Sequence, residues 1–148
     1  MSGLNIKGKW YVTLYGAENE VKQRIEGVNT ITTGGISALV QHLVSATAAA
    51  TTFTHRSVAI GSDNTSETSA DTALGTELAR HTATVSQVTD GIYRLTATFP
   101  SGTGTGNVYE YGVFDSNTAG TMFSRDTEGL VTKSANDTLV VITEITYS

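Results

Sequence analysis

The sequence contains no cysteine and a single proline among its 148 residues. Without cysteine there is no disulfide framework, no zinc–thiolate site and no thiol nucleophile. No stretch approaches the roughly 20 consecutive apolar residues that a membrane-spanning helix requires. Disulfide-stapled modules and thiol enzymes are therefore excluded, and we expect no membrane partner.

Positive charge is also scarce. Nine lysines and arginines stand against fourteen acidic residues, which gives a formal net charge of −5. The basic residues are scattered, so no patch is available to neutralise a phosphate backbone. The sequence predicts no nucleic-acid partner, and its acidic balance is typical of a surface that favours solubility.

Threonine, serine, glycine and valine dominate the chain, a composition typical of short strands joined by turns. Alternation of apolar and polar residues predicts about eight or nine strands. They are Lys9 to Tyr15, Val21 to Glu26 with an extended continuation to Ile31, Ser57 to Ile60, Glu77 to Val88, Ile92 to Phe99, Val108 to Phe114, Thr121 to Arg125, Leu130 to Val131, and Leu139 to Tyr147.

Because hairpins dominate this pattern, the fold class we predict is mainly β. The expected architecture is an antiparallel two-sheet β-sandwich, Ig-like or jelly-roll-like, with one short helix. The length suits a single domain over residues 1–148, with a flexible N-terminal arm at about residues 1–8.

One segment predicts a helix. Thr33 is placed to cap its N-terminus. An apolar stripe at helical spacing then follows and is expected to lie on a sheet face. The stripe consists of Ile36, Leu39, Val40, Leu43 and Val44. His42 falls off this stripe and is expected to face solvent.

The stretch from Val58 to Arg80 contains a long polar loop between two predicted strands. Its serine, threonine, aspartate and asparagine side chains favour turns. Leu74 is the one large apolar residue of the loop, so we expect its burial to hold the loop on the core. The loop acids could serve a Ca²⁺ ion, but turn formation and capping explain them more simply.

No motif of an enzyme or cofactor site occurs. There is no Gly-x-Ser-x-Gly nucleophile elbow. The glycine-rich run Gly102 to Gly106 precedes a strand, whereas a phosphate-binding loop precedes a helix. We expect single acids such as Glu110, Asp115, Glu128 and Glu144 to be solvated. The sequence therefore predicts no enzymatic activity, no cofactor and no metal.

Several short segments follow one another in a fixed order along the second part of the chain. They are Ala59-Ile60-Gly61, Asp71-Thr-Ala-Leu-Gly-Thr-Glu-Leu-Ala-Arg80, Thr98-Phe-Pro100, Tyr109-Glu-Tyr-Gly-Val-Phe114, Gly120-Thr-Met-Phe-Ser-Arg125 and Asp137-Thr-Leu-Val-Val141. This set resembles a module of tailed-bacteriophage virion proteins, which occurs in tail-fibre-like and head-decoration-like chains. The resemblance runs from Ser57 to the end of the chain.

The resemblance implies a non-enzymatic structural subunit of the virion, assembled in the host cytoplasm. Within that class we expect a capsid decoration or cement protein that binds the virion surface as an oligomer, with a trimer as the implied state. Its partners would be other virion proteins, either major capsid or tail proteins. Two alternatives stay open: a tail or tail-fibre-associated structural protein, and a host glycan- or receptor-binding module that uses exposed aromatic rings.

Contact with partners is expected from three places: the N-terminal arm, the first hairpin and the polar loop. The residues chosen as contact candidates are Leu4, Ile6, Trp10, Tyr11, Asp63, Asn64, Asp71 and Leu74.

Overall fold

A computed structural model of the chain describes residues 5–44 and 56–147. The described residues form nine strands and one helix. In chain order these are β1 (Ile6–Tyr15), β2 (Val21–Ile31), α1 (Thr33–Val44), β3 (Ser57–Gly61), β4 (Glu77–Thr82), β5 (Thr84–Thr89), β6 (Ile92–Phe99), β7 (Gly106–Phe114), β8 (Met122–Lys133) and β9 (Thr138–Tyr147). The prediction of a mainly β chain with one short helix is confirmed.

All nine strands belong to one antiparallel sheet in the order β4-β3-β7-β8-β2-β1-β9-β6-β5, and the sheet curls into a half-barrel. A division of this sheet into the two predicted layers is not clear in the structure. The strand that joins the halves is β2, which pairs with β1 over most of its length and with β8 only at Thr30 and Ile31. The sheet is therefore continuous through β2, although the sequence pattern predicted a sandwich.

The predicted long strand Glu77 to Val88 is two strands, and this prediction was wrong. The chain bends at Ala83, whose amide donates to the carbonyl of Arg56 over 2.6 Å. The bend carries the chain from β4 at one edge of the sheet to β5 at the other. Near the bend the His81 ring meets Phe99 of β6 edge-on at 5.1 Å. Strands that bend in this way make the corners of folded-over sheets.

The opposite error occurs at β8, where two short strands were predicted and one long strand is found. Glu110 pairs with Thr127 and Val108 pairs with Val131, so the register shifts between them. The glycine at position 129 therefore lies in a bulge within the strand. A bulge locally breaks the apolar alternation on which the prediction relied.

The residue that caps the helix lies one position before the predicted cap, Thr33. Thr32 is the capping residue, since its hydroxyl oxygen accepts the Gly35 amide at 3.0 Å and donates to the Met122 carbonyl at 2.6 Å. On the apolar stripe, Leu39 is buried, but Ile36 and Val40 are 48% and 50% exposed. The side chains of His42, Leu43 and Val44 lie outside the described residues. Within the described chain, no helix is long and apolar enough to cross a membrane.

The core lies inside the curl. Alternate residues of β1, β6, β7 and β9 point into it, as the predicted faces of β1 and β6 require. Its largest members are Trp10, Tyr111, Phe99, Phe123, Ile60, Leu95, Leu139 and Ile145. A smaller cluster of Ala59, Leu74, Phe114 and Met122 lies apart from this core. Because Leu74 belongs to the polar loop, this second cluster fixes the position of that loop on the sheet.

Candidate functional site

The candidate site is the polar loop that joins β3 to β4, over residues 62–76, together with the charged side chains beneath it. The loop has no helix or strand of its own. Leu74 is only 8% exposed and packs with Phe114 and Met122. The expectation that Leu74 would be buried is met, and this contact holds one end of the loop on the sheet.

A buried ion pair lies directly below the loop. Arg125 of β8 donates from Nε and Nη2 to Glu110 Oε2 of β7, over 3.0 and 2.9 Å. Glu110 is completely buried and Arg125 is 3% exposed. A charge at this depth is tolerated only with a close opposite charge and full hydrogen bonding. The two side chains supply that to one another.

The loop backbone completes the hydrogen bonding of Glu110. The amides of Asp63 and Thr76 donate to its Oε1, at 3.2 and 2.9 Å, and the amide of Gly75 donates to its Oε2 at 2.9 Å. One carboxylate therefore accepts from both ends of the loop. It closes the loop at its base.

Arg125 continues the network toward solvent. Its Nη1 donates to Asp71 Oδ2 over 2.9 Å, and its Nη2 lies 3.7 Å from Asp63 Oδ2. Burial opposes ionisation of Asp71, but hydrogen bonds from Thr68 and Arg125 outweigh it and lower its pKa. Hydrogen bonds from Thr65 lower the pKa of Asp63. Both acids therefore stay charged toward lower pH than free aspartate.

Within the loop, short side-chain bonds fix the turns. Asp63 accepts from the Thr65 amide at 3.0 Å, and Asp71 accepts from the Thr68 amide at 2.9 Å. The Thr33 amide at the start of α1 donates to the Ser69 carbonyl over 2.8 Å. The loop thus presents exposed polar residues on a backbone that the sheet and the helix hold in place.

A second charged group lies on the other face of β8. Asp126 is 1% exposed, and neither of its carboxylate oxygens has a hydrogen-bond partner. Glu128 lies nearby on the same strand. Glu67, from the polar loop, accepts hydrogen bonds from the amide and hydroxyl of Thr127. We call Glu67, Asp126 and Glu128 the acid cluster.

Burial is the main cause of an altered titration in the acid cluster. Burial, together with the negative charges of the neighbouring Glu128 and Glu67, raises the pKa of Asp126 to about 8. Tyr111 faces the cluster from β7, paired opposite Asp126. Burial, with Asp126 and Glu128 adding to it, raises the pKa of Tyr111. Its hydroxyl is buried and unpartnered. No group of histidines or acids in residues 5–44 and 56–147 is arranged to hold a metal ion.

The contact candidates chosen from the sequence divide by depth. Trp10 and Leu74 are buried, which removes their side chains from the surface that a partner could touch. The structure places Asp63, Asn64 and Asp71 together on the polar loop, with Asn64 fully on its outside. Ile6 and Tyr11 are half-buried on β1, away from that loop. Leu4 lies outside the described residues.

Sequence reasoning missed the residues that organise the site. Glu110 was expected to be solvated, and it is completely buried because Arg125 and three loop amides satisfy it. Arg125 and Asp126 were not among the candidate site residues. The available signal was a charged residue inside an otherwise apolar strand, since charged side chains are rarely buried without a partner.

The concavities of the described surface include two small ones. One is an open groove of about 300 Å³ at the end of β5 and β6, bordered by Val85, Tyr93 and Tyr147. The other, of about 170 Å³, lies between Gly34, Asp71 and Thr121. Neither is lined by a histidine, and the Asp71 carboxylate beside the second is held by Thr68 and Arg125.

Comparison with models of protein families, with curated proteins and with solved structures finds no match to this chain.

Proposed function

We propose that the protein is a non-enzymatic structural subunit of a phage virion, and that within the virion it is a capsid decoration or cement protein. The resemblance of the segments after Ser57 to virion modules suggests the class. The observation that carries the proposal is the polar loop, which is exposed at its tip and held at its base by Glu110 and Arg125.

A loop of this kind suits contact with another protein. Ordering a flexible loop on binding costs free energy, and a loop fixed in advance avoids that cost. Its exposed side chains include Asn64, Thr65 and Ser66. Such small polar groups can form the hydrogen bonds of an interface rim. The loop is therefore the first contact surface that we assign to a neighbouring shell protein.

The sheet offers a second contact surface. Every residue of the edge strand β5 is exposed, with Val85 and Val88 each 41% exposed. An exposed edge presents free backbone groups that pair readily with another chain. We propose that the chain forms a symmetric oligomer, a homotrimer, through surfaces of this kind.

The curled sheet also fits the predicted sandwich in a looser sense. We propose that its two halves, β5-β6-β9-β1 and β4-β3-β7-β8, act as the two layers of an Ig-like or jelly-roll-like body. Support comes from the core, in which Trp10 of the first half meets Tyr111 of the second at 5.8 Å.

The direct test is the amount of the protein in purified particles, measured by quantitative mass spectrometry against the major shell protein. A decoration protein should be present in a fixed ratio close to that of the shell subunits. A few copies per particle would instead support the tail-associated alternative. Complete absence from the particles would show that the proposal is wrong.

The role of the loop is tested by rebinding the purified protein to particles that lack it. Asn64→Arg places a bulky charge at the loop tip and should reduce occupancy without changing the free energy of unfolding. Asn136→Arg makes the same change at an exposed turn before β9 and serves as the matched control. Equal occupancy of both variants would remove the loop from the interface.

For the glycan-binding alternative, Tyr11, Tyr15 and Tyr109 are half-buried and stay candidates for contact with a sugar. Such a module needs exposed aromatic rings on which sugars can stack, and Trp10 and Tyr111 are completely buried.

A further inference from the structure

The acid cluster lies where the sheet is weakest. The ladder between β2 and β8 has two residue pairs, Thr30 with Arg125 and Ile31 with Ser124. Beyond Arg125 no ladder pair joins the two strands within the described residues. The acid cluster begins at the very next residue, Asp126. We call this open part of the β2–β8 boundary the seam.

Two carboxylates of the cluster occupy the same notch in the seam. The notch exists because residue 27 of β2 is glycine. A side-chain carbon on Gly27 would overlap the Glu128 carboxylate and would lie 2.7 Å from Asp126 Oδ2. Since both acids crowd one point, their carboxylates lie next to each other.

No positive side chain of the described residues neutralises them. Among the described residues, none of the ion pairs includes Glu67, Asp126 or Glu128. Arg125 is the neighbour in sequence, but it points to the other face of β8 and is taken up by Glu110 and Asp71. Among the described titratable groups, Tyr111 of β7 also interacts with Asp126, and it carries no positive charge.

A buried carboxylate and a half-buried one that lie side by side cannot both be charged at low cost, because like charges and lost hydration both oppose it. A bound metal would relieve them, but the described acids are not arranged to hold one. A proton held between the two carboxylates solves the problem. It also supplies the hydrogen bond that the oxygens of Asp126 otherwise lack.

We propose that Asp126 and Glu128 share one proton, and that this proton is a latch that keeps β2 and the polar loop closed on β8. When the proton leaves, three negative charges face each other at the seam. The repulsion acts on β2 through the notch at Gly27. It acts on the polar loop through Glu67, whose carboxylate is bound to Thr127 beside the cluster.

The raised pKa of Asp126 places the loss of the shared proton in a pH range that can be measured. Burial, Glu128 and Glu67 raise the pKa of Asp126 to about 8. Because the folded protein holds a proton that the unfolded chain releases near pH 4, the free energy of unfolding should fall as the pH rises from about 4 to about 8. Above that range the contribution of this group is constant.

Trp10 reports on the seam, because it is the only tryptophan and pairs with Gly27 across β1 and β2. Its ring also lies 5.8 Å from that of Tyr111. We would record Trp10 fluorescence from pH 5 to pH 9.5 with EDTA present. The native protein should show a transition with a midpoint near 8, below the range in which tyrosines and lysines titrate.

Asp126→Asn keeps the shape and removes the titration, so the transition should disappear in that variant. Glu128→Gln should lower the midpoint by at least one pH unit or abolish the transition. Glu144→Gln, which alters an acid paired with Arg94 outside the cluster, should leave the midpoint unchanged. The EDTA ensures that an adventitious cation does not take the place of the proton.

The position of the loop is followed separately by limited proteolysis at pH 6 and pH 9, with rates corrected on an unstructured peptide. Cleavage in residues 62–76 should rise at least several-fold at pH 9 in the native protein and remain constant in Asp126→Asn. If the fluorescence transition persists in Asp126→Asn, if it keeps its midpoint near 8 in Glu128→Gln, or if loop cleavage does not depend on pH, the latch is wrong. Should Asp126→Asn fail to fold, Glu128→Gln alone decides.

Discussion

Arg125 and Asp126 are consecutive residues of β8, and they face opposite sides of the sheet under very different conditions. Arg125 lies between Glu110, Asp71 and Asp63, and its guanidinium is matched by negative charge. Asp126 is equally buried, yet its neighbours Glu128 and Glu67 share its sign. One strand thus carries one ionisable group whose charge is matched by its neighbours and a second whose charge is not matched.

The difference shows two ways to keep an ionisable group inside a small β protein. On the Arg125 side the protein provides partners, and the result is a loop held at its base. On the Asp126 side it provides none, so the group gives up its charge. The first arrangement is strong and insensitive to pH near neutrality, while the second makes a structural contact depend on a proton.

The largest effect should come from removing the partnered cation. Arg125→Met would leave Glu110 buried without its counter-charge, which typically costs about 3–5 kcal/mol. We expect a loss of that size in the free energy of unfolding in urea at pH 7. Arg94→Met breaks an ion pair that is partly exposed and should cost about 0–1 kcal/mol. If the two variants lost the same free energy of unfolding, the pair of Arg125 with Glu110 would contribute no more than a surface ion pair.

The apolar anchor on the same side should come next. Leu74→Ala removes a buried side chain from the small cluster with Phe114 and Met122 and should cost about 2–4 kcal/mol. The loop should also become more susceptible to proteases. Leu130→Ala, at a position 40% exposed, is the matched control and should lose about 1 kcal/mol or less. If proteolysis of the loop is unchanged in Leu74→Ala, the ionic contacts alone hold it.

A smaller change addresses the notch. Gly27→Ala inserts a methyl group where the two carboxylates meet, and it should cost about 1 kcal/mol because the end of the Glu128 side chain can move aside. Separating the acids should also lower the pKa of Asp126, which the Trp10 titration would detect. Gly129→Ala, where an added carbon meets nothing within 4 Å, should change neither quantity.

The smallest effect concerns the decline in the free energy of unfolding at acidic pH. The pKa of Asp71 is lowered, since hydrogen bonds from Thr68 and Arg125 outweigh its burial. Its contribution is therefore present above about pH 4 and is lost as the pH falls through the lowered value. Asp71→Asn should flatten the decline of stability between pH 4 and pH 2, as urea midpoints would show. Asp90→Asn, at an exposed turn residue, should leave that decline as it is.

Local features of the fold could be predicted from the sequence, and distant pairings could not. The alternation in Leu95, Ala97 and Phe99 and the turn at Asp90 and Gly91 identified β6 and its hairpin, because both signals lie within a few residues. The same was true of Leu74, which stands alone in a polar segment. The bend at Ala83 and the continuous strand through Gly129 depend on partners elsewhere in the sheet.

The site itself was beyond the reach of local patterns. Glu110 and Arg125 are 15 residues apart and become a pair only through the register of β7 with β8. The acid cluster also needs Glu67 from the loop and the notch at Gly27 from a third strand. The one local signal was a charged residue in an apolar strand, and this signal alone does not identify the side chain with which it pairs.

The central claim is that the polar loop is held in a fixed form before it meets any partner. Amide hydrogen exchange at pH 6 tests this most directly, residue by residue. The amides of Asp63, Gly75 and Thr76, which donate to Glu110, should exchange as slowly as amides in the sheet, while those of exposed loop residues without such bonds exchange quickly. Exchange of all three at the rate of an unstructured peptide would contradict the account.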